Sequence, residues 1–188
     1  RWYQGTEPWP LVDPKELAIL RRLEARFDPV GSEATATRVG IGVASGCDAI
    51  YLTTDSDLVE ESRLLPLALA DDLRTGELRW SGHYLVNPWT QDGLVDLEDY
   101  PRLARYLDHH VERLASRHCA REQGKRWYRS IDRVDPTLTV RPKLYFPDIK
   151  GSIHPVLDRG TTYPHHNLYY VVSDAWDLEV LGGLMMSR

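Results

Sequence analysis

The sequence predicts an α+β fold, with mixed or antiparallel sheet regions, several helices, and one long helix near residues 97–121. Three observations carry that prediction. Runs with two-residue alternation, such as Val39, Ile41 and Val43, stand beside runs whose apolar residues recur at spacings of three and four. The two kinds do not alternate as steady strand–helix–strand units, which argues against a doubly wound sheet. The composition, 42% hydrophobic and 27% charged over 188 residues, is that of a globular domain large enough to bury a core.

The elements follow in chain order. Residues 1–12 are rich in aromatics and proline and form an irregular lead-in. Asp13-Pro14 then opens a helix, because Asp caps and Pro suits the first turn. Leu17, Leu20, Leu23 and Phe27 give it a stripe. Thr37 to Thr54 is expected to form two strands joined by a glycine turn, with Ala49-Ile50-Tyr51-Leu52 as the return strand. Short strands are expected at 63–67 and 84–86, broken by turns at Gly76, Gly82 and Asn87-Pro88. The long helix signal rests on Leu103, Leu107, Val111, Leu114 and His118, with Glu112, Arg113, Arg117 and Arg121 on other faces. Beyond Gly124 the pattern predicts strands at 137–140, 143–146 and 168–172. A last helix follows a Ser173-Asp174 cap.

Composition excludes several classes. No run of about 18 apolar residues exists, so no transmembrane helix is expected. Arg1-Trp2-Tyr3-Gln4 does not read as a secretory signal. The methionines are Met185 and Met186 alone, and the sequence reads as a segment of a longer protein. Cys47 and Cys119 are too few for a disulfide framework and are expected to be reduced, buried thiols of a cytoplasmic protein. The net charge of −5 argues against a nucleic-acid partner only on average, because net charge sums unlike surfaces.

Several motifs invite chemistry. In Gly40-Ile41-Gly42-Val43-Ala44-Ser45-Gly46 the third glycine falls one residue late for dinucleotide binding, and a strand is expected where a helix should follow, so a tight hairpin is predicted. Asn87-Pro88-Trp89 lacks the second proline of an amino-methyltransferase loop and reads as a turn. His-Glu-x-x-His and Cys-x-x-Cys are absent, so no metal centre is predicted, and His110 and His118 are expected to edge the buried face of the long helix. Asp148-Ile149-Lys150 places a carboxylate and an ammonium on one strand face, as divalent-metal nucleases do, with Asp132 or Asp135 as the upstream acid.

The segment 117–154 answers the charge objection. It holds nine basic residues against four acidic ones, a local balance of +5 that leaves −10 for the rest. Trp127, Tyr128, Tyr145 and Phe146 are interleaved. Cations beside flat rings suit a nucleic-acid face; a solvated basic surface over core aromatics has the same composition. His165-His166-Asn167 follows in a polar turn, where Asn could bond adenine edges or its own backbone.

An ordered set of blocks resembles a known family. The blocks are Val39 to Gly46, Leu65-Pro66-Leu67, Gly82 to Pro88, Tyr100-Pro101, Lys125-Arg126-Trp127-Tyr128-Arg129, Arg141-Pro142-Lys143-Leu144, Pro147-Asp148-Ile149 and His166 to Tyr170. Together they resemble the TaqI-like C-terminal specificity domain of adenine-N6 DNA methyltransferases of restriction–modification and phage-defence systems. The likeness spans roughly residues 36–186. It implies a target-recognition domain over 36–188, preceded by the lead-in and helix of 1–35. It implies a double-stranded DNA partner and a separate catalytic domain of the same parent chain, which binds S-adenosylmethionine. No cofactor and no catalytic residue are expected in this segment.

Candidate DNA contacts are Arg126, Arg129 and Lys143, with Trp127 and Tyr128 beside them and His166 and Asn167 in a matching block. Arg117, Lys125, Arg133 and Lys150 are added on local charge. Two other readings stand beside this one: a magnesium-dependent nuclease centred on Asp148 and Lys150, and a protein-interaction module docking through Trp2 and Trp9.

Overall fold

The computed structural model describes residues 13–121, 126–148 and 154–187. The fold is α+β. One four-stranded sheet is antiparallel, in the order β1 (Thr37–Ile41), β8 (Leu168–Ser173), β5 (Lys143–Pro147), β6 (Val156–Asp158). The other is mixed, in the order β2 (Leu52–Thr53), β4 (Tyr84–Val86), β3 (Leu64–Ala68), β7 (Tyr163–Pro164). Its β3–β7 pair is parallel.

A single core joins both sheets to the helices. Tyr145, Leu168 and Val172 come from the first sheet, Leu67, Leu85 and Val86 from the second. Leu103 and Leu107 of α3 (Pro101–Asp108) and Leu114 of α4 (Val111–Ala115) complete it, all at 0% exposure. Each such leucine contributes about 1.5–3 kcal/mol by leaving water. A satellite cluster of Leu144, Val171 and Leu181 lies under α7 (Leu178–Met186).

The strands expected near 63–67, 84–86, 143–146 and 168–172 are present. Several expectations are corrected. The hairpin of 37–54 does not form. Its first strand, β1, pairs instead with β8, in register from Thr37↔Ser173 to Ile41↔Tyr169. Its return strand is mostly the helical turn α2 (Asp48–Tyr51), with the Ile50 and Tyr51 amides donating to the Cys47 carbonyl. A four-residue apolar run cannot distinguish helix from strand, and burying both Ile50 and Tyr51 favours the turn here. The 137–140 segment is likewise the helical turn α6 (Thr137–Val140), opened by Asp135 Oδ1, which accepts from the Thr137 amide and hydroxyl.

The long helix of 97–121 is broken into a 3₁₀ turn (Leu97–Asp99), α3, α4 and α5 (His118–Arg121). Side chains draw off helix carbonyls near the breaks: His109 Nδ1 lies 2.6 Å from the Arg105 carbonyl, and Arg117 Nε donates to that of Leu114. Val111 and His118 therefore leave the buried stripe and are exposed. His110, half-buried, stacks edge-on against Tyr106. The last helix starts later than expected, because Asp177 caps it while Ser173 Oγ closes the preceding turn.

The helix α1 (Pro14–Glu24) forms with Asp13 as its cap, but among the described residues its stripe is not buried: Leu17 is half-buried, and Leu20, Leu23 and Phe27 are exposed. Both cysteines are free, and half-buried rather than buried. Among the described residues no helix is long and apolar enough to cross a membrane. The aromatic lead-in, with Trp2 and Trp9, lies outside the described residues.

Lys143 is the clearest correction to the candidate contacts. It sits opposite Asp158 in the β5–β6 ladder, and both side chains are at 0% exposure. Its ammonium donates to Asp158 Oδ2 at 2.8 Å and to the Thr162 and Thr139 carbonyls. A buried, fully engaged cation cannot reach a phosphate.

Candidate nucleic-acid interface

Segment 126–133 carries little regular structure, so other elements hold it. The Trp127 and Arg129 carbonyls accept from Arg117 Nη2 at 3.1 and 2.6 Å, and the Tyr128 carbonyl accepts from the Tyr51 hydroxyl. Further along, the Ile131 and Asp132 amides donate to the Ser45 and Ala44 carbonyls, and Asp132 Oδ2 accepts from the Ala44 amide. The Trp89 indole donates to Ser130 Oγ at 2.7 Å. With its backbone pinned, the segment presents Arg126 and Arg133 to solvent, and Arg129 in part.

These side chains line one open cleft of about 1160 Å³. Arg126, Arg129 and Arg133 supply cations, and Trp89, Trp127 and Tyr128 supply rings. Arg129 lies 5.6 Å from the Trp89 ring centroid, and Trp127 meets Tyr128 edge-on. Asp92, Asp96 and Glu98 bring carboxylates to the same cleft. Burial and the Asp96 carboxylate push the Tyr128 phenol above its usual range, against the pull of Arg126, so it stays a neutral donor, bonded to the Val95 carbonyl. Arg133 donates to the Gln91 carbonyl.

Arg117 does not present its charge outward. Its guanidinium donates to the carbonyls of Leu114, Ser45, Trp127 and Arg129 and to the Tyr51 hydroxyl. It is a half-buried clamp that ties the Ser45 loop to the cleft segment, and this corrects its reading as a phosphate contact. Burial pushes the Tyr51 phenol up to about 12, against the attraction of Arg117, so it remains protonated.

The glycines of the 40–46 run serve packing. A Cβ on Gly42 would lie 2.2 Å from the His165 carbonyl oxygen and 2.5 Å from that of Pro164, so β1 reaches the β7–β8 turn only without a side chain there. The Gly42 and Val43 amides donate into that turn, and Val43 accepts from His166. This close approach sets His165 and His166 beside Asp48. His165 is 5% exposed, with Nε2 3.2 Å from Asp48 Oδ2. Ser45 Oγ donates to Asp48 Oδ1 at 2.5 Å. Burial pushes the Asp48 carboxyl up, but the Ser45 hydroxyl and His165 outweigh it and hold it below its usual value. His166 is exposed and stacks edge-on with His165, their centroids 4.0 Å apart; burial and that neighbour lower its pKa. Asn167 is half-buried, and among the described residues its enclosed side-chain oxygen has no partner.

The structure thus gathers Arg126, Trp127, Tyr128, Arg129 and Arg133 at one cleft. Through Ser45 it joins their segment to the loop beside His166. Lys125 and Lys150 lie outside the described residues. The nuclease pairing gains no support: Asp132 and Asp135 cap backbone, and among the described residues the one group of three or more close-set metal-ligand side chains is Asp48, His165 and His166, without Asp148. Asn87 is the predicted turn, its amide bonded both ways to the Trp89 backbone. Sequence reasoning missed Trp89 and the three carboxylates of the cleft, whose neighbours in sequence give no hint of Arg126.

No protein-family model matches the chain. Curated relatives do. The chain is 48% identical over 97% of its length to the type II methyltransferase M.PaeR7I of Pseudomonas aeruginosa and 45% identical over 97% to M.XhoI of Xanthomonas vasicola. It is 38% identical over 99% to M.BstVI of Geobacillus stearothermophilus. It spans about a third of the length of these relatives, 32%, 34% and 34% respectively.

Proposed function

We propose that this chain is the DNA target-recognition module of a type II methyltransferase acting on adenine N6. The observation that carries this reading is the convergence of Arg126, Arg129 and Arg133 with Trp89, Trp127 and Tyr128 on one open cleft. The similarity to type II methyltransferases across nearly the whole chain supports it. Phosphates are met by the arginines, which position the duplex, while rings and amides face base edges. Asp92, Asp96 and Glu98 weaken the attraction to phosphate and add acceptors for the amino groups of cytosine or adenine. His166 and Asn167 flank this face, and Lys125 and Lys150 belong to the same basic segment of the sequence. The S-adenosylmethionine site and the chemistry on a flipped adenine belong to a catalytic domain of the same parent chain. The exposed side chains of Leu20, Leu23 and Phe27 suit docking against that domain. Alone, the module binds DNA weakly and transfers no methyl group.

Binding of this chain to duplex DNA over a range of salt concentrations tests the proposal. Wild-type affinity should fall steeply with salt. Arg126→Ala and Arg133→Ala should each flatten the log–log slope by about one. Salt-indifferent binding, or slopes unchanged in both variants, would refute it.

A further inference from the structure

We infer that Asp48, His165 and His166 form a binding site for a divalent transition-metal ion of the zinc class. Their ligand atoms all lie within 4.8 Å of one another. Two borderline imidazole nitrogens beside one carboxylate oxygen make a mixed donor set that suits zinc, cobalt and nickel, rather than the all-oxygen sets of magnesium or calcium.

The group is held as a built site. Asp48 is fixed by the Ser45 hydroxyl on one oxygen and faces His165 with the other. The His165 amide donates to the Ala68 carbonyl, and its residue bridges Val43 in parallel register, so the backbone beneath the ring is anchored on both sides. Rigid support of this kind keeps ligands in place without an ordering cost at binding.

Buried polar atoms are nearly always satisfied, yet among the described residues His165 Nδ1 has no hydrogen-bond partner. With nothing bonded to Nδ1, the ring proton can sit there and leave the Nε2 lone pair, which faces Asp48, for a metal ion. Asp48 and His166 are exposed, which gives an ion a route from solvent. Three protein ligands leave a coordination position open to water or to another anionic oxygen. The inference is independent of the DNA reading, because its test measures metal alone.

The experiment strips the purified chain with chelator and titrates it with cobalt(II), followed by visible absorption, and with zinc(II), followed by calorimetry. One equivalent should bind in the micromolar range or tighter, and zinc should raise the melting temperature. His166→Ala, at an exposed position that leaves the fold intact, should weaken binding about tenfold or more, and so should Asp48→Asn. A His109→Ala/His110→Ala variant should bind like wild type. Only millimolar affinity, or affinity unchanged in His166→Ala, or loss confined to the His109/His110 variant, would overturn the inference.

Discussion

Replacing Lys143 with methionine should lower stability without touching DNA affinity. The ammonium donates to Asp158 Oδ2 at 2.8 Å, to the Thr162 carbonyl at 2.9 Å and to the Thr139 carbonyl at 3.2 Å, with no solvent access. Removing it leaves a buried carboxylate without its cation, a loss of about 3–5 kcal/mol. The cost should fall at the low end, about 3 kcal/mol, because Asp158 keeps other donors. Gly160, Thr161 and Thr162 still offer backbone amides, and both threonines offer hydroxyls. In a chain of this size that is a fall in melting temperature of roughly 6–12 °C. Burial pushes the Asp158 carboxyl up, but the Lys143 ammonium and the Thr161 donors outweigh it and hold it below its usual value. A depressed carboxylate adds stability above its unfolded pKa and loses it as pH falls through the folded one. Wild type should therefore lose this contribution only below about pH 4, and Lys143→Met should begin to lose stability at higher pH. The assay is thermal melting against pH, with the salt dependence of DNA binding measured below the melting range. An unchanged melting temperature, or a salt slope reduced by about one, would refute the reasoning and return Lys143 to the surface.

Three further outcomes are expected. Gly42→Ala drives a methyl into the Pro164 and His165 carbonyls and should cost about 2–4 kcal/mol, read as a large drop in melting temperature; a change under about 2 °C would refute the close approach. Glu60 accepts from the Arg102 and Leu103 amides at the start of α3, and although burial pushes its carboxyl up, these bonds hold it below its usual value. Its stabilisation is present above the ordinary glutamate pKa and is lost as pH falls through the lowered one, so Glu60→Gln should cost about 1 kcal/mol at pH 7 and flatten the acid limb of the stability profile. Arg117→Met strands the Ser45, Trp127 and Arg129 carbonyls and should destabilise by about 2–4 kcal/mol, with faster hydrogen exchange at Ile131 and Asp132; unchanged exchange there would show that the clamp holds nothing.

Much of the local structure was legible because its causes are local. Asp13 before Pro14 capped a helix, and the runs of aromatic and β-branched residues in 143–146 and 168–172 marked strands. Leu103, Leu107 and Leu114 kept their buried stripe even though the helix beneath them broke. The convergence of Arg126, Arg129 and Arg133 was foreshadowed by the basic segment, because neighbours in sequence stay neighbours in space. The readings that failed were short apolar runs, where helix and strand share one pattern, and side chains whose partners lie far along the chain.

The sequence by itself determined the α+β class, most strand positions and the place of the basic block, since periodicity, capping and charge act over a few residues. Only the tertiary structure decided that Thr37 meets Ser173, 136 residues away, and that Asp48 meets His165, 117 residues away. It also divided one basic block between two fates. Arg126 and Arg133 face a solvent-filled cleft, while Lys143, ten residues beyond Arg133, is sealed against Asp158. The cost of dehydrating a charge depends on what the whole fold brings to it, and no local pattern carries that information.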